Sequence, residues 1–287
     1  MEMVHFIPPR HRGLTLLAAQ ADAAPVLIYG ASGTGKGAIA RWIHQNSARA
    51  AKALNQATRD EPLAGQISAS QGGTLVVNEI GSWTLSEQRL LLDFLKTRSV
   101  SDAASSLRML ANVRIIATTS QALEGRAQGG LFNAELLEKL NVFRIEMPPL
   151  AKREDEFEDI VLGVMGELAR EVHKEHLREL EPEAWQRLRV YDWPGNIREL
   201  RNVLKLAVIS AKGDRVAAGD LPEFGHDRMD FRATREQFEK VYIQELLKSY
   251  DWEIDRACRL AGMDKPTLLA KIESYGLKPD SSPEARA

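Results

Sequence analysis

The stretch Val26-Leu-Ile-Tyr-Gly-Ala-Ser-Gly-Thr-Gly-Lys-Gly37 constrains the fold more than any other part of the chain. Its apolar run, Val26 to Tyr29, reads as a buried strand, and the glycines behind it read as a tight turn. The next segment places Ile39, Trp42 and Ile43 on one helical face. Strand, glycine-rich turn and helix in that order are the setting of a phosphate-binding loop, and Gly30-x-x-x-x-Gly35-Lys36 has its spacing. The glycines let backbone N–H groups turn toward a phosphate, the helix N-terminus adds a partial positive charge, and Lys36 adds a full one. Gly30, Ser32, Gly33, Thr34, Gly35, Lys36 and Gly37 are therefore the candidate nucleotide contacts of this loop. Gly37 stands where most such loops carry the Ser or Thr hydroxyl that helps to hold Mg²⁺.

A second apolar run, Thr74 to Val77, reads as a buried strand that ends in Asn78-Glu79. Phosphate-loop ATPases keep a carboxylate pair at this strand end, the first for the metal and the second for the attacking water. Asn78 can accept a hydrogen bond from a metal-bound water but brings no negative charge, so the metal is weakly supported; Glu79 remains a candidate water-orienting base, or else a plain surface acid. Val113 to Ser120 is a third buried strand with a polar end, where Thr119 and Ser120 either touch a terminal phosphate or cap a turn. Three strands separated by helices predict a parallel α/β sheet with its ligand at the strand C-termini.

The rest of the chain is read around that frame. Residues 1–24 carry Pro8-Pro9 and a modest helical pattern, too short for a separate input domain. Residues 46–70 read as a connection with one short strand at most. Ser86 to Thr97 is an amphipathic helix with Ser86 as its N-cap. Leu131 to Phe143 reads as a helix, and Met147-Pro-Pro-Leu150 closes an α/β domain at 1–150. Residues 151–222 read as an all-helical domain, in which Tyr191-Asp-Trp-Pro-Gly-Asn-Ile-Arg-Glu-Leu-Arg-Asn202 opens a helix. His173 and His176 lie three apart on one of these helices and, without a third ligand, read as solvated rather than metal-binding. A linker at 223–231 precedes a domain at 232–287. There Phe231 to Tyr250, Ile254 to Ala261 and Pro266 to Tyr275 are helices, the last two joined by the turn Gly262-Met-Asp264. That is helix-turn-helix geometry, with Lys265, Thr267 and Lys271 as candidate contacts to double-stranded DNA. Asp264 and Glu273 offset the two lysines, and the overall charge of −2 announces no nucleic-acid partner, so a dimerisation module is the alternative reading. Cys258 reads as a small core residue. One cysteine, no apolar run near the roughly 20 residues of a membrane span, and no leader pattern suit a cytoplasmic protein.

Taken together, these segments resemble the sigma-54-dependent enhancer-binding activators, an AAA+ family of bacterial transcription regulators, from about residue 10 to residue 278. The resemblance is carried by Gly-Ala-Ser-Gly-Thr-Gly-Lys at 30–36, Gly-Gly-Thr-Leu-Val-Val-Asn-Glu-Ile-Gly at 72–81, Leu-Asn-Val-Phe at 140–143, Pro-Pro-Leu at 148–150 and Trp-Pro-Gly-Asn-Ile-Arg-Glu-Leu-Arg-Asn at 193–202. The C-terminal segment is similar to the family's Fis-type domain. The resemblance implies an ATP- or ADP-binding core, self-association as a dimer or ring, RNA polymerase as a partner, and Arg198 as a lid residue that senses the phosphates. Three departures stand out. No G-A-F-T-G-A loop lies between Lys36 and Asn78; the metal Asp is Asn78; and Asn133 and Lys139 occupy the two arginine-finger positions. An arginine finger is worth about 10³–10⁵ in rate. Lys139, the remaining catalytic candidate beside Glu79, keeps the charge but not the planar fork. The expectation is a DNA-binding regulator that binds nucleotide, hydrolyses it poorly and does not remodel sigma-54 directly. The alternatives are a slow but working ATPase and a modulator that co-assembles with an active relative.

Overall fold

The computed structural model describes residues 6–101, 108–224, 239–240, 242–244, 246–248, 250 and 252–277. The chain separates into two compact units, Met1–Val164 with Asp192–Leu200, and Met165–Tyr191 with Arg201–Ala287.

The first unit is built on a five-stranded, all-parallel sheet. Its strands are β1 (Val26–Tyr29), β2 (Leu54–Ala57), β3 (Thr74–Val77), β6 (Arg114–Thr119) and β7 (Phe143–Glu146), in the spatial order β2-β3-β6-β1-β7. A parallel sheet is covered on both faces, so its inner strands must be apolar throughout. Accordingly β3 and β6 are buried at every position. Leu27, Leu75, Val77, Ile115 and Ala117 pack with Leu91 and Phe94 of α4 (Leu85–Thr97) and with Leu136 and Leu140 of α6 (Ala134–Leu140). Because β3 and β1 both flank β6, the loops that follow Val77, Tyr29 and Thr119 emerge side by side at one edge of the sheet. That edge carries the phosphate-loop motif, with α2 (Lys36–Gln45) starting directly after Gly35.

The opposite edge is tied by Arg49, beside Arg98, which donates to Val113 O at 3.2 Å and Ala23 O at 3.0 Å. Arg49, 4% exposed, pairs with both carboxylate oxygens of Asp22 at 2.8 and 3.1 Å. It also donates to the carbonyls of Gly73 and Asn112 at 3.0 Å each, and to Asn112 Oδ1 at 2.6 Å. Those three partners precede β1, β3 and β6, so one guanidinium fixes the entry to three neighbouring strands.

Several elements differ from the sequence expectation. The helix expected over Leu131 to Phe143 is shorter, α6 running only from Ala134 to Leu140, and Phe143 instead opens the edge strand β7, which the sequence reading did not expect. The connection at 46–70 holds a helix, α3 (Leu63–Ala69), as well as β2. A hairpin, β4 (Ser99–Ser101) with β5 (Arg108–Leu110), follows α4. The N-cap of α4 is Thr84 rather than Ser86: Thr84 and Glu87 form a reciprocal capping box, which a Ser one position inside the helix cannot replace. The first unit also contains α1 (Pro9–Gln20) and α5 (Leu123–Gln128).

Helices α7 (Phe157–Glu171) and α9 (Asn196–Ser210) each contribute residues to both units. The second unit adds α8 (Pro182–Val190) and a small parallel pair, β8 (Glu179–Leu180) with β9 (Arg215–Val216), where only helices were expected. Lys174 Nζ donates to the carbonyls of Val208, Ile209 and Ala211 at 2.7–3.1 Å, placing a cation where α9 exposes its negative end. His173 and His176 lie in the turn after α7, not on a helix; His173 has φ 57°. Among the described residues no group of three or more His, Cys, Asp or Glu could hold a metal ion.

At the C-terminal end, α10 (Ile254–Ala261) and α11 (Lys265–Ser274) surround a core of Ile243, Leu247, Ala257, Leu268 and Leu277, with Cys258 packed against it. Gly262 ends α10 with φ 64°, a left-handed conformation that suits glycine. Asp264 caps α11 by accepting from Thr267 N at 2.8 Å. Of the helix expected over 231–250, residues 231–238 lie outside the described residues, as do 280–287; the described positions from 239 to 248 are helical. No helix among the described residues is long and apolar enough to cross a membrane.

Candidate functional site

The loop between β1 and α2 is held by its own side chains. Thr34 Oγ1 donates to Ala31 O at 2.9 Å and is almost fully buried. Lys36, 7% exposed, folds back so that Nζ donates to Gly30 O at 2.8 Å and Ala31 O at 3.1 Å. Two glycines are required by close approach: a Cβ at Gly30 would meet Met147 O at 2.2 Å, and one at Gly33 would meet Gly195 O at 2.1 Å, both at positive φ. Gly37 is different, since a Cβ there meets nothing within 4 Å.

The strand ends β3 and β6 bring two more candidates to this loop. Glu79, in the left-handed region at φ 47°, sets Oε1 3.3 Å from Lys36 Nζ. Its Oε2 accepts from Ser120 N at 2.8 Å and from Ser120 Oγ at 2.7 Å. Burial works to raise the Glu79 carboxyl, but the two Ser120 hydrogen bonds and the Lys36 ammonium hold it below its ordinary value. Burial pushes Lys36 down, against the pull of Glu79, and Arg198 adds to the lowering. Asn78 turns to other partners: Nδ2 donates to Gln56 Oε1 at 3.2 Å, and Oδ1 accepts from Thr118 Oγ1 at 3.2 Å. A cavity of about 320 Å³ opens beside the loop, lined in part by Tyr29, Gly30, Ala31, Thr119 and Ser120.

The first turn of α9 completes the arrangement. Arg198 N donates to Gly33 O at 3.1 Å, and Arg198 Nη1 reaches Ser32 Oγ at 3.2 Å. Asn196, which the sequence reading left without a role, is 4% exposed; its Nδ2 donates to Ser32 O at 2.9 Å and its Oδ1 accepts from Leu150 N at 2.8 Å. It has φ 55°, and an Asn behind Pro-Gly at a helix start was the available signal, because Asn tolerates that conformation. The loop from Gly30 to Gly37, Glu79, Ser120 and Arg198 thus converge, while the amide of Asn78 bonds Gln56 and Thr118 instead.

Lys139 is brought to none of them. It is exposed on α6. Asn133 is the N-cap of α6, its Oδ1 accepting from Leu136 N at 3.0 Å.

The helix-turn-helix is the second candidate. Thr267 is exposed on α11. Lys265 pairs with Asp255 at 2.8 Å, and Lys271 pairs with Glu239 at 2.5 Å, whose other oxygen accepts from Tyr275 Oη at 2.6 Å. Both lysines of the recognition helix are therefore balanced by acids of the same domain.

The chain also matches known proteins at the level of whole domains. Residues 13–150 match a sigma-54 interaction domain, 151–238 an AAA+ ATPase lid domain, and 234–275 a bacterial regulatory protein of the Fis family. The alginate biosynthesis transcriptional regulatory protein AlgB of Pseudomonas putida is 34% identical over 284 residues, covering 88% of this chain and 62% of AlgB. The chain thus spans under two thirds of that relative's length. Crystal structures of NtrX from Brucella abortus align over 93% of the chain. The complex with ADP has a TM-score of 0.65 at 25% identity, covering 68% of NtrX; the complex with ATP has 0.63 at 26%, covering 67%.

Proposed function

Because this chain carries a sigma-54 interaction AAA+ domain, an AAA+ lid domain and a Fis-family helix-turn-helix, we propose that it is a DNA-binding transcription regulator whose core binds ATP or ADP as a structural ligand and hydrolyses it poorly or not at all. One observation carries the second half of that reading. The groups that would drive hydrolysis are replaced or engaged elsewhere: Asn78 hydrogen-bonds Gln56 and Thr118, Asn133 caps α6, and Glu79 is clasped by Lys36 and Ser120. NtrX binds ADP and ATP in its crystals, which supports a nucleotide at the corresponding loop here.

In this reading Gly30 to Gly37, Lys36 above all, hold the phosphates. Arg198 and Asn196 tie the first turn of α9 to the same loop. Hydrolysis lacks a metal carboxylate at 78 and an arginine at either 133 or 139, and the missing finger alone removes about 10³–10⁵ in rate. With no G-A-F-T-G-A sequence between Lys36 and Asn78, the chain does not remodel sigma-54 directly. Its partners are double-stranded DNA, through α11, and further copies of itself or a related activator beside RNA polymerase.

Nucleotide binding and turnover measured on one purified sample test the proposal. Binding that Lys36→Ala abolishes, with turnover at background and unchanged in Glu79→Gln, is the expected outcome. Turnover well above background that Glu79→Gln removes restores a working ATPase and overturns it.

A further inference from the structure

Phosphate-loop ATPases hold Mg²⁺ against the β- and γ-phosphates with the loop hydroxyl and the strand-end Asp. The residues of this chain do not fit that ion. Gly37 offers no hydroxyl, and crowding is not the cause, since the space beside it is open to 4 Å. Asn78 offers no charge, and both ends of its amide have protein partners. Mg²⁺ is held by hard oxygen ligands, commonly one or two carboxylates. Neither position that would take it carries a carboxylate or a hydroxyl.

Glu79 bears on the nucleotide itself. A phosphate-loop lysine reaches the β- and γ-phosphates, yet Lys36 Nζ lies 3.3 Å from Glu79 Oε1. Ser120, which ends β6 beside the loop, gives both its N–H and its hydroxyl to Glu79 Oε2. The Glu79 carboxylate therefore takes up the donors that a terminal phosphate would use, and it carries the same sign of charge. No bound metal would screen the two anions from each other; Lys36 and Arg198 are cations at the loop, and Arg144 lines the cavity beside it.

We propose that this site takes a nucleoside diphosphate without a divalent cation, with the Glu79 carboxylate standing between Lys36 and Ser120 where a γ-phosphate would lie. The inference rests on the nucleotide-binding reading above and adds to it the state of the ligand: the diphosphate is the form the core is shaped to keep.

Isothermal titration of the full chain with ADP and with ATP, each in excess EDTA and in excess Mg²⁺, tests it. ADP is expected to bind with the same affinity in both buffers, within about twofold, and ATP more weakly by about tenfold. Glu79→Gln removes the competing charge and is expected to raise ATP affinity about tenfold while leaving ADP nearly unchanged. The double variant Gly37→Ser with Asn78→Asp should make ATP binding depend on Mg²⁺. Wild-type ADP binding that strengthens about tenfold with Mg²⁺, or ATP binding tighter than ADP, overturns the inference but leaves the nucleotide reading standing. Heats no larger than those of Lys36→Ala, for both nucleotides in both buffers, overturn the nucleotide reading and this inference with it.

Discussion

Asn196 shows how much one residue can carry when its backbone and side chain serve the same joint. Its left-handed φ of 55° turns the chain into α9, while its amide satisfies Leu150 N on one side and Ser32 O on the other. Asn196→Ala leaves the buried Leu150 N–H unpaired, which costs about 1–3 kcal/mol, whereas Ser32 is exposed and its carbonyl can turn to water. The variant is expected to lose about 1–3 kcal/mol in urea unfolding and to bind nucleotide less tightly; an unchanged midpoint would remove Asn196 from the joint. The glycines and Lys36 of the loop were legible in the sequence because their roles follow from local spacing. Asn196 was not, because its role exists only once β1 and the Pro148-Pro149-Leu150 segment stand beside it. Glu79 was legible as a candidate, but its engagement with Ser120 was not: the two are 41 residues apart and meet only because β3 and β6 are neighbours.

At the scale of elements, legibility followed burial. The inner strands β1, β3 and β6 read as apolar runs, whereas the edge strands β2 and β7 are largely half-exposed and carry mixed sequences. Phe143 to Glu146 closely follows an amphipathic helix, so Phe143 was read as its last residue, and the three residues behind it are too few to show a strand period. The recognition helix α11 was legible from Asp264 and Pro266, but the pairing of Lys271 with Glu239 was not, since Glu239 lies on the preceding helical segment. That pairing is testable. Glu239→Gln keeps an acceptor for Tyr275 and releases the Lys271 ammonium from its ion pair. DNA affinity at low salt is expected to rise, and the slope of log K against log salt to steepen by about 0.9, the value of one added phosphate contact. An unchanged slope would place Lys271 away from the DNA backbone.

At the scale of the whole molecule, the order of strand, loop and helix was legible, but the spatial order β2-β3-β6-β1-β7 was not, because adjacency in a parallel sheet is set by crossovers rather than by any one segment. Arg49 turns that adjacency into a matter of time. Its partners Asp22, Gly73 and Asn112 lie 27, 24 and 63 residues away in the chain. The Asp22 pair needs only the segment around β1 and α2, but the Gly73 and Asn112 contacts need β3 and β6 in place as well, so the full set of bonds is expected to close late on the path to the native state. Interactions absent from the transition state govern how fast a protein comes apart rather than how fast it assembles. Arg49→Met should therefore leave the refolding arm of a stopped-flow chevron nearly in place and raise the unfolding arm; a slowed refolding arm would put Arg49 in the nucleus instead. If only the unfolding arm moves, the edge of the sheet that Arg49 ties acts as a kinetic lock on the edge that carries the phosphate-loop motif.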